Sequence, residues 1–418
     1  MSAILGIVFG ILLLVSVPVA IALLGGAAVA LLIDGKPMAV MVQRLYTPTQ
    51  SFPMLAIPFF ILAGNLMMSG RFGEYLVSFA KLLVGRFRGG MGQVSIIGSV
   101  MFGGVSGSAV ADATALGNAL IPVQKREGYP PAFAAAINAS SSTVSLLIPP
   151  SIPLILYGLV TSTSIVDLFV AGIVPGLMLG IGLLSACWLS AVLRGLPPSP
   201  AEGGFSAWRG QALGALPALL MPVFVIGTLR FGIATPTEVS VMAVAYALAV
   251  SGLVYRDLTF EVVLKAMIGT AVMTGAVMLI ILASSVVQWI LTLERVPQEL
   301  AAWITGNLDK KWMIILAMNV LMLVIGTFLD LPAAMLLLGP LFIGLAQAIG
   351  MDQVQLGLMM VLNLAIGLYT PPVGTTLFIS STIAKAPIGS VVRELLPFYL
   401  VSVAVLILVS YLPAFTVY

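Results

Sequence analysis

Sixty per cent of the 418 residues are apolar, 8% are charged and the mean hydropathy is +1.16, whereas a soluble domain carries about a quarter charged residues, so the solvent of this chain is lipid. The net charge of +3 is no nucleic-acid signal, because the basic residues fall at loop positions where cytoplasmic bias accounts for them. One cysteine, Cys187, inside an apolar stretch, excludes an internal disulfide and reads as packing, and the lack of histidine excludes His-based metal sites, triads and proton relays.

A hydrocarbon core about 30 Å thick takes about 20 apolar residues per helical crossing. Runs at 4–33, 51–68, 131–160, 165–193, 211–229, 236–255, 262–293, 354–384 and 391–415 predict nine crossings. The first has no basic leader and is too long and uniformly apolar for a cleaved signal, so a retained helix is expected. Two further apolar stretches, 93–122 and 312–341, are interrupted at their centres by Gly-rich polar sequence and predict re-entrant hairpins. An arm of about 15 residues reaches about 22 Å, past the midplane without crossing, and irregular backbone at that depth survives only buried in protein or lining a wet cavity. The mixed-charge segments 71–88 and 294–309 precede the hairpins and predict interfacial helices. A Pro/Gly/Ser-rich linker at 194–210 divides two halves.

With a cytoplasmic amino end, the inner loops collect Arg71, Lys81, Arg86, Arg88, Lys125, Arg126, Arg194, Arg209, Arg256, Lys265, Lys385 and Arg393, while the outer loops keep Lys36, Arg44, Arg230, Arg295, Lys310 and Lys311. Twelve against six supports that orientation and an outer carboxyl end.

The halves repeat. Pro149-Pro150 and Pro175 recur as Pro371-Pro372 and Pro397, an offset of 222 (371 − 149 and 397 − 175), whereas Asp112 and Pro122 match Asp330 and Pro340 at 218, which requires a four-residue insertion between Pro340 and Gly350. Each half reads as crossing helix, interfacial helix, hairpin with an Asp after its tip, and a helix broken at Pro-Pro. The helix opening the first half is the second crossing and its counterpart the seventh, so the halves run in opposite directions. Inverted repeats with broken helices are the architecture of secondary transporters, whose substrate and coupling ions lie near the midplane. The fold class is therefore an all-α integral membrane protein of inverted repeats.

The candidate chemistry sits at the interruptions. Asp112 and Asp330 are the only acids placed within the membrane, where a carboxylate costs about 2.5–3.5 kcal/mol. They read either as caps of the second hairpin helices or as coupling residues. The first tip, GGVSGSAVAD (103–112), turns at Ser106, Gly107 and Ser108, and the second, GTFLD (326–330), holds Gly326 and Thr327. Facing them are Ser141, Ser142, Thr143, Ser145 and SLLIPPS (145–151) in one broken helix, and Asn363, Gly367 and LYTPPVGTT (368–376) in the other. Proline frees the carbonyl four residues earlier, and hard cations take carbonyl and hydroxyl oxygens in place of water. Ser142, Ser151, Asn363 and Thr375, with the two aspartates, are the substrate or coupling candidates. No basic residue falls at membrane depth, so a buried anion is expected to rest on helix N-termini, hydroxyls and bound sodium.

The runs FPMLAIPFFILAGNLMMSG (52–70), GGVSGSAVADATALG (103–117), INASSSTVSLLIPPSIPLILYG (137–158) and LAIGLYTPPVGTTLF (364–378) resemble the large membrane subunit of TRAP transporters, the tripartite ATP-independent periplasmic family. The resemblance covers essentially the whole chain. It implies a sodium-coupled importer of organic acids such as dicarboxylates or sialic acids, working as an elevator with a small four-helix membrane subunit and a periplasmic solute-binding protein, in the bacterial inner membrane. Carried over by motif, one sodium site lies between Ser106, Gly107, Ser108 and Ser145, Pro150, and the other between Gly326, Thr327 and Gly367, Thr370, Pro372. On this reading 1–92, 161–311 and 385–418 are scaffold, and 93–160 and 312–384 are the transport domain. A self-sufficient sodium/dicarboxylate symporter of the same plan is the alternative. An intramembrane aspartyl protease, in which two aspartates share a proton, is opposed by the lack of a Tyr-Asp or Gly-x-Gly-Asp setting.

Overall fold

The structure is a computed structural model that describes residues 1–68, 71–198, 205–308 and 310–416. Residues 199–204, the middle of the expected linker, and Asp309 lie outside the described residues. Among those described, five unbroken helices are long and apolar enough to cross a membrane, or seven if two bent pairs each count as one.

The first apolar run is not one crossing. α1 (Ser2–Leu14) and α2 (Val19–Ile33) fold back on each other, turning at Ser16, which has φ 63°, and at Pro18, which is the N-cap of α2. The close approach needs Gly26, where a Cβ would meet the Leu5 carbonyl at 3.0 Å and Phe9 just beyond. Helices of 13 and 15 residues reach only about 20 and 22 Å. This corrects the expected topology, because both ends of the run now lie at one face. That face also carries Glu294, whose carboxylate accepts from the Met1 ammonium at 2.7 Å and from the Ser2 N–H at 2.7 Å. The amino end and residue 294, expected on opposite sides, therefore share one.

α3 (Ala39–Tyr46) leads through two 3-10 turns into α4 (Ala56–Met68), a path bent by 68°. The amphipathic α5 (Phe72–Val84) precedes the first hairpin, α6 (Gly90–Ser106) and α7 (Ala109–Arg126). The first broken helix follows: α8 (Pro131–Ser141), a 3-10 turn (Ser142–Leu146), the Pro149-Pro150 break, and α9 (Ile152–Thr161). Next come α10 (Ile165–Leu193), α11 (Phe205–Arg230), α12 (Pro236–Ala249) and the 34-residue α13 (Phe260–Leu293). α14 (Val296–Asn307) precedes the second hairpin, α15 (Lys311–Gly326) and α16 (Leu331–Ala348). The second broken helix is α17 (Gln353–Gly367) and α18 (Thr375–Ala384), before α19 (Ile388–Glu394) and α20 (Leu396–Tyr411).

The second hairpin helices and the broken helices of the two halves match in sequence at a single offset. Adding 222 to α7 (109–126) gives 331–348, the bounds of α16, and adding it to 131, the start of α8, gives 353, the start of α17. This overturns the match of Asp112 to Asp330 at 218 and removes the four-residue insertion it required. The counterpart of Asp330 is Ser108 (330 − 222), and both are N-caps of the second hairpin helix. Four crossings separate α4 from α13, so the halves are inverted, and this count does not depend on the amino-terminal hairpin.

The repeats interlock. α9 packs on α16 of the other half, and its counterpart α18 packs on α7. α10 and α20 pack on each other, and both lie against α17. α4 packs on both α12 and α13, and this group meets the repeats where α13 lies on α16 and α4 lies on α6.

Candidate functional site: two tip-and-break junctions around one cavity

At the first junction, the hairpin turns at Gly107 with φ 58°, a conformation natural to glycine. A Cβ there would meet the Pro150 carbonyl oxygen at 2.3 Å, so the tip backbone lies directly on the break. Gly103 closes the same contact one turn earlier, its Cβ position 2.6 Å from Ser145 Cα. The hydroxyls of Ser142, Thr143 and Ser145 donate to the carbonyls of Ala139, Ser140 and Ser142 at 3.0, 2.7 and 2.6 Å. Each hydroxyl proton is thereby spent on the helix, and the oxygens keep lone pairs as acceptors. Ser151 donates to the Leu146 carbonyl and, as N-cap of α9, accepts from Leu154 N–H at 3.3 Å. Ser108 caps α7 in the same manner, accepting from Ala111 N–H at 3.4 Å.

The second junction has the same plan with different atoms. A Cβ at Gly367 would meet the Gly326 carbonyl at 2.4 Å, and the Val373 N–H donates to the Thr327 carbonyl at 3.1 Å. Thr327 and Thr370 donate to Val324 and Ile366 carbonyls at 2.8 and 2.6 Å. Pro371 and Pro372 stand exposed beside them. At both junctions, glycine faces a carbonyl oxygen among hydroxyl lone pairs, the donor set a hard monovalent cation takes.

Between the junctions lies a cavity of about 220 Å³. Its walls include Gly107, Ser108 and Ala109 at the start of α7, Ile152 and Pro153 at the start of α9, Asp330, Leu331 and Pro332 at the start of α16, and Leu368 of the second break. Met273, Ala276, Val277 and Ile280 of α13 close the remaining side. Three helix N-termini thus border one small space, each contributing a positive dipole end, with no basic side chain in its wall. Asp330 borders it too, as an N-cap that makes no side-chain capping bond.

The candidate residues divide accordingly. Ser108, Gly107 and Asp330 border the cavity. Asp112 lies elsewhere: it is fully buried within the first hairpin, where its Oδ1 accepts from Ser99 at 3.1 Å and Ser99 in turn contacts Ser141 at 3.1 Å. Ser142 is buried inside the broken helix. Asn363 binds α17 to α15, donating to the carbonyl and side-chain oxygen of Asn319 at 3.0 and 2.8 Å. Thr375 opens α18, one residue before Thr376.

Thr376 closes the 368–376 run singled out in the sequence, but its particular role is not legible there. Its hydroxyl lies 3.1 Å from the Ala139 carbonyl and 3.0 Å from the Leu368 carbonyl, tying one break to the other. A threonine so placed is visible only once α8 and α18 are known to touch. The α13 wall was also missed, since Met, Ala, Val and Ile in a long apolar helix carry no local signal.

Residues 5–415 fit the family described as tripartite ATP-independent periplasmic transporter, DctM component. The chain belongs to that family. It is 36% identical over 391 residues to the C4-dicarboxylate TRAP transporter large permease protein DctM of Pseudomonas aeruginosa, covering 94% of this chain and 91% of the relative. It is 37% identical over 377 residues to the sialic acid TRAP transporter large permease protein SiaM of Vibrio cholerae, covering 90% and 87%. Among solved structures it is similar in fold to the YdaH transporter of Alcanivorax borkumensis, with a TM-score of 0.65, 17% identity, and coverage of 90% of this chain and 87% of that one. This TRAP large permease is therefore a multi-pass membrane transport protein and not an enzyme. Permeases of its kind work with a small membrane subunit and a periplasmic binding protein.

Proposed function

We propose that this permease imports an organic acid anion, a dicarboxylate, sialic acid or similar carboxylate, by coupling it to sodium. The single observation that supports this most is the cavity bordered by three helix N-termini and flanked on either side by a glycine-to-carbonyl junction. An anion in that space has dipole ends but no Lys or Arg to neutralise it, and Asp330 beside it adds negative charge. Two cations at the junctions would supply the missing balance. One would lie among Ser106, Gly107, Ser108, Ser145 and Pro150, and the other among Gly326, Thr327, Gly367, Thr370 and Pro372. Solute affinity then depends on sodium, and sodium affinity depends on solute by the same factor. Each sodium ion moving down 100 mV releases about 2.3 kcal/mol.

Movement is an elevator in this reading. The hairpins and broken helices interlock across the repeats, while α4, α12 and α13 pack together beside them. We group α10 and α20 with the moving body because both pack on α17. With the basic-residue assignment of the later loops kept, the face of Glu294, and with it the amino end, is periplasmic, and so is the carboxyl end. The small membrane subunit extends the scaffold, and the binding protein delivers solute at that face.

Reconstitution tests the proposal. In proteoliposomes holding the permease and its small subunit, an inward sodium gradient should drive accumulation only when loaded binding protein is added outside. Equal uptake with potassium in place of sodium overturns the coupling. Equal uptake without binding protein returns the self-sufficient symporter.

A further inference from the structure

α13 connects the central cavity to a second space. Ala276 and Ile280 line the cavity, and further along the same helix Ser285, Gln288 and Trp289 line a pocket of about 460 Å³. α16 repeats the pattern, with Pro332 facing the cavity and Leu336, one turn later, facing the pocket. From Ile280 to Gln288 is about 12 Å along the axis, toward the face that carries Glu294. One wall of this pocket comes from α13 and residues 44–54, the other from Leu159, Val160 and Leu336 of α9 and α16. It lies at the seam between α13 and the interlocked repeats, which Gln288 Nε2 crosses by donating to the Leu336 carbonyl at 2.8 Å.

Arg44 is the charged side chain in its wall. The simplest use for a basic residue in the last turn of a helix is to cap the terminal carbonyls. Here other groups do that: Thr47 Oγ1 donates to the Gln43 carbonyl at 2.9 Å, and Ser285 Oγ donates to the Arg44 carbonyl at 2.6 Å. The guanidinium instead lies over the Trp289 indole, its Cζ 5.4 Å from the ring centroid. Among the described residues it makes no ion pair. A guanidinium held over a ring by cation–π attraction still has N–H donors to offer a carboxylate edge.

We infer that Arg44, held over Trp289, is a collecting point where the carboxylate of an incoming solute rests before it enters the central cavity. The inference rests on the anion-import reading above and gives it an outer waiting station. A phospholipid phosphate would satisfy the same donors, so the two sources must be separated.

The test follows Trp289 fluorescence and needs no transport. The full chain with its small subunit is placed in phosphatidylcholine nanodiscs, with Trp188, Trp208, Trp303, Trp312 and any tryptophans of the small subunit replaced by phenylalanine. Iodide should quench Trp289 about fivefold more strongly than in R44Q, the factor a unit charge pair near contact in water supplies, whereas neutral acrylamide should quench both alike. R44K should retain most of the iodide effect, and millimolar succinate should compete with it. Equal iodide quenching in wild type and R44Q, or no competition by succinate, overturns the inference. Appearance of both effects in maltoside micelles, which carry no phosphate, but not in the phosphatidylcholine nanodiscs assigns the site to a lipid headgroup and overturns it as well. Should the single-tryptophan protein fail to purify, the same quantities follow from the difference between the native-tryptophan protein and its W289F variant in each Arg44 background. Sodium-independent transport would sink the coupling reading without touching this result.

Discussion

The two junctions share a plan and differ in what covers them. At the first, Ser106 and Ser108 are each 8% exposed and every residue from 142 to 150 is buried. α4 presses Gly64 to within reach of the Ser106 backbone, and Pro222 of α11 lies on Gly104. At the second, Phe328 is 55% and Val373 44% exposed, and Pro371 and Pro372 face outward. One repeat unit is thus clamped by neighbouring helices while its copy stands free, and segments with few buried contacts open at lower free energy. On the sodium-coupled mechanism proposed above, the free hairpin tip would serve as the gate and the clamped one would be the less mobile side of the proposed ion sites.

Glycine substitutions test that difference most severely. Gly107→Ala forces a Cβ into the Pro150 carbonyl at a left-handed position with no room to yield, and should cost about 3 kcal/mol, read as a large fall in melting temperature. Gly367→Ala makes an equally close contact with Gly326, but the open tip should shift at about 1 kcal/mol. Equal losses would erase the distinction between clamped and free.

The aspartates come next. Asp330→Asn should leave melting almost unchanged and lower sodium-driven uptake about tenfold or more, because it borders the cavity without supporting a cap. Asp112→Asn should act chiefly on melting, since Asp112 joins Ser99 inside the first hairpin. Reversed behaviour would move the chemistry from the free junction to the clamped one.

Smaller effects sharpen the picture. Ser108→Ala and Thr327→Ala should each raise the half-saturating sodium concentration about fivefold, near the worth of one lost polar contact, with folded yield preserved. Unchanged sodium dependence in both would remove these residues from the ion sites.

A control lies outside both junctions. The amino end and the Ser2 N–H hold the Glu294 carboxyl at about 2, well below the ordinary glutamate value. A depressed carboxyl stabilises the fold above its unfolded value and loses that contribution as pH falls through the folded one. Melting should therefore be flat from pH 7 to 5 on this account and decline slightly from about pH 4.5 toward 2, an increment that Glu294→Gln removes.

Much of this architecture was legible because interruptions of apolar sequence are rare events in a membrane chain. Both hairpins, both Pro-Pro breaks and the facing of tip and break followed from glycine, serine and proline clusters in runs otherwise free of them. Register was harder. Asp112 and Asp330 attracted a match because acids are scarce at that depth, yet the equivalent positions are Ser108 and Asp330, different side chains at one N-cap position. The amino-terminal turn at Ser16 and Pro18 was marked in the sequence, but continuous apolarity on either side concealed it. The α13 wall and the Thr376 bridge depend on which helices meet, and side-chain chemistry at one position does not encode its distant neighbour.

The exchange of half-helices between repeats also constrains how the protein is made. α9 leaves the ribosome almost 180 residues before α16, on which it rests, and α7 waits longer still for α18. During that interval α9 and α7 lack the surfaces on which they finally rest, so the nascent first half must be sheltered by the insertion machinery or by its own scaffold helices. A chain interrupted at the linker would leave two fragments that each lack the surface on which the other is built.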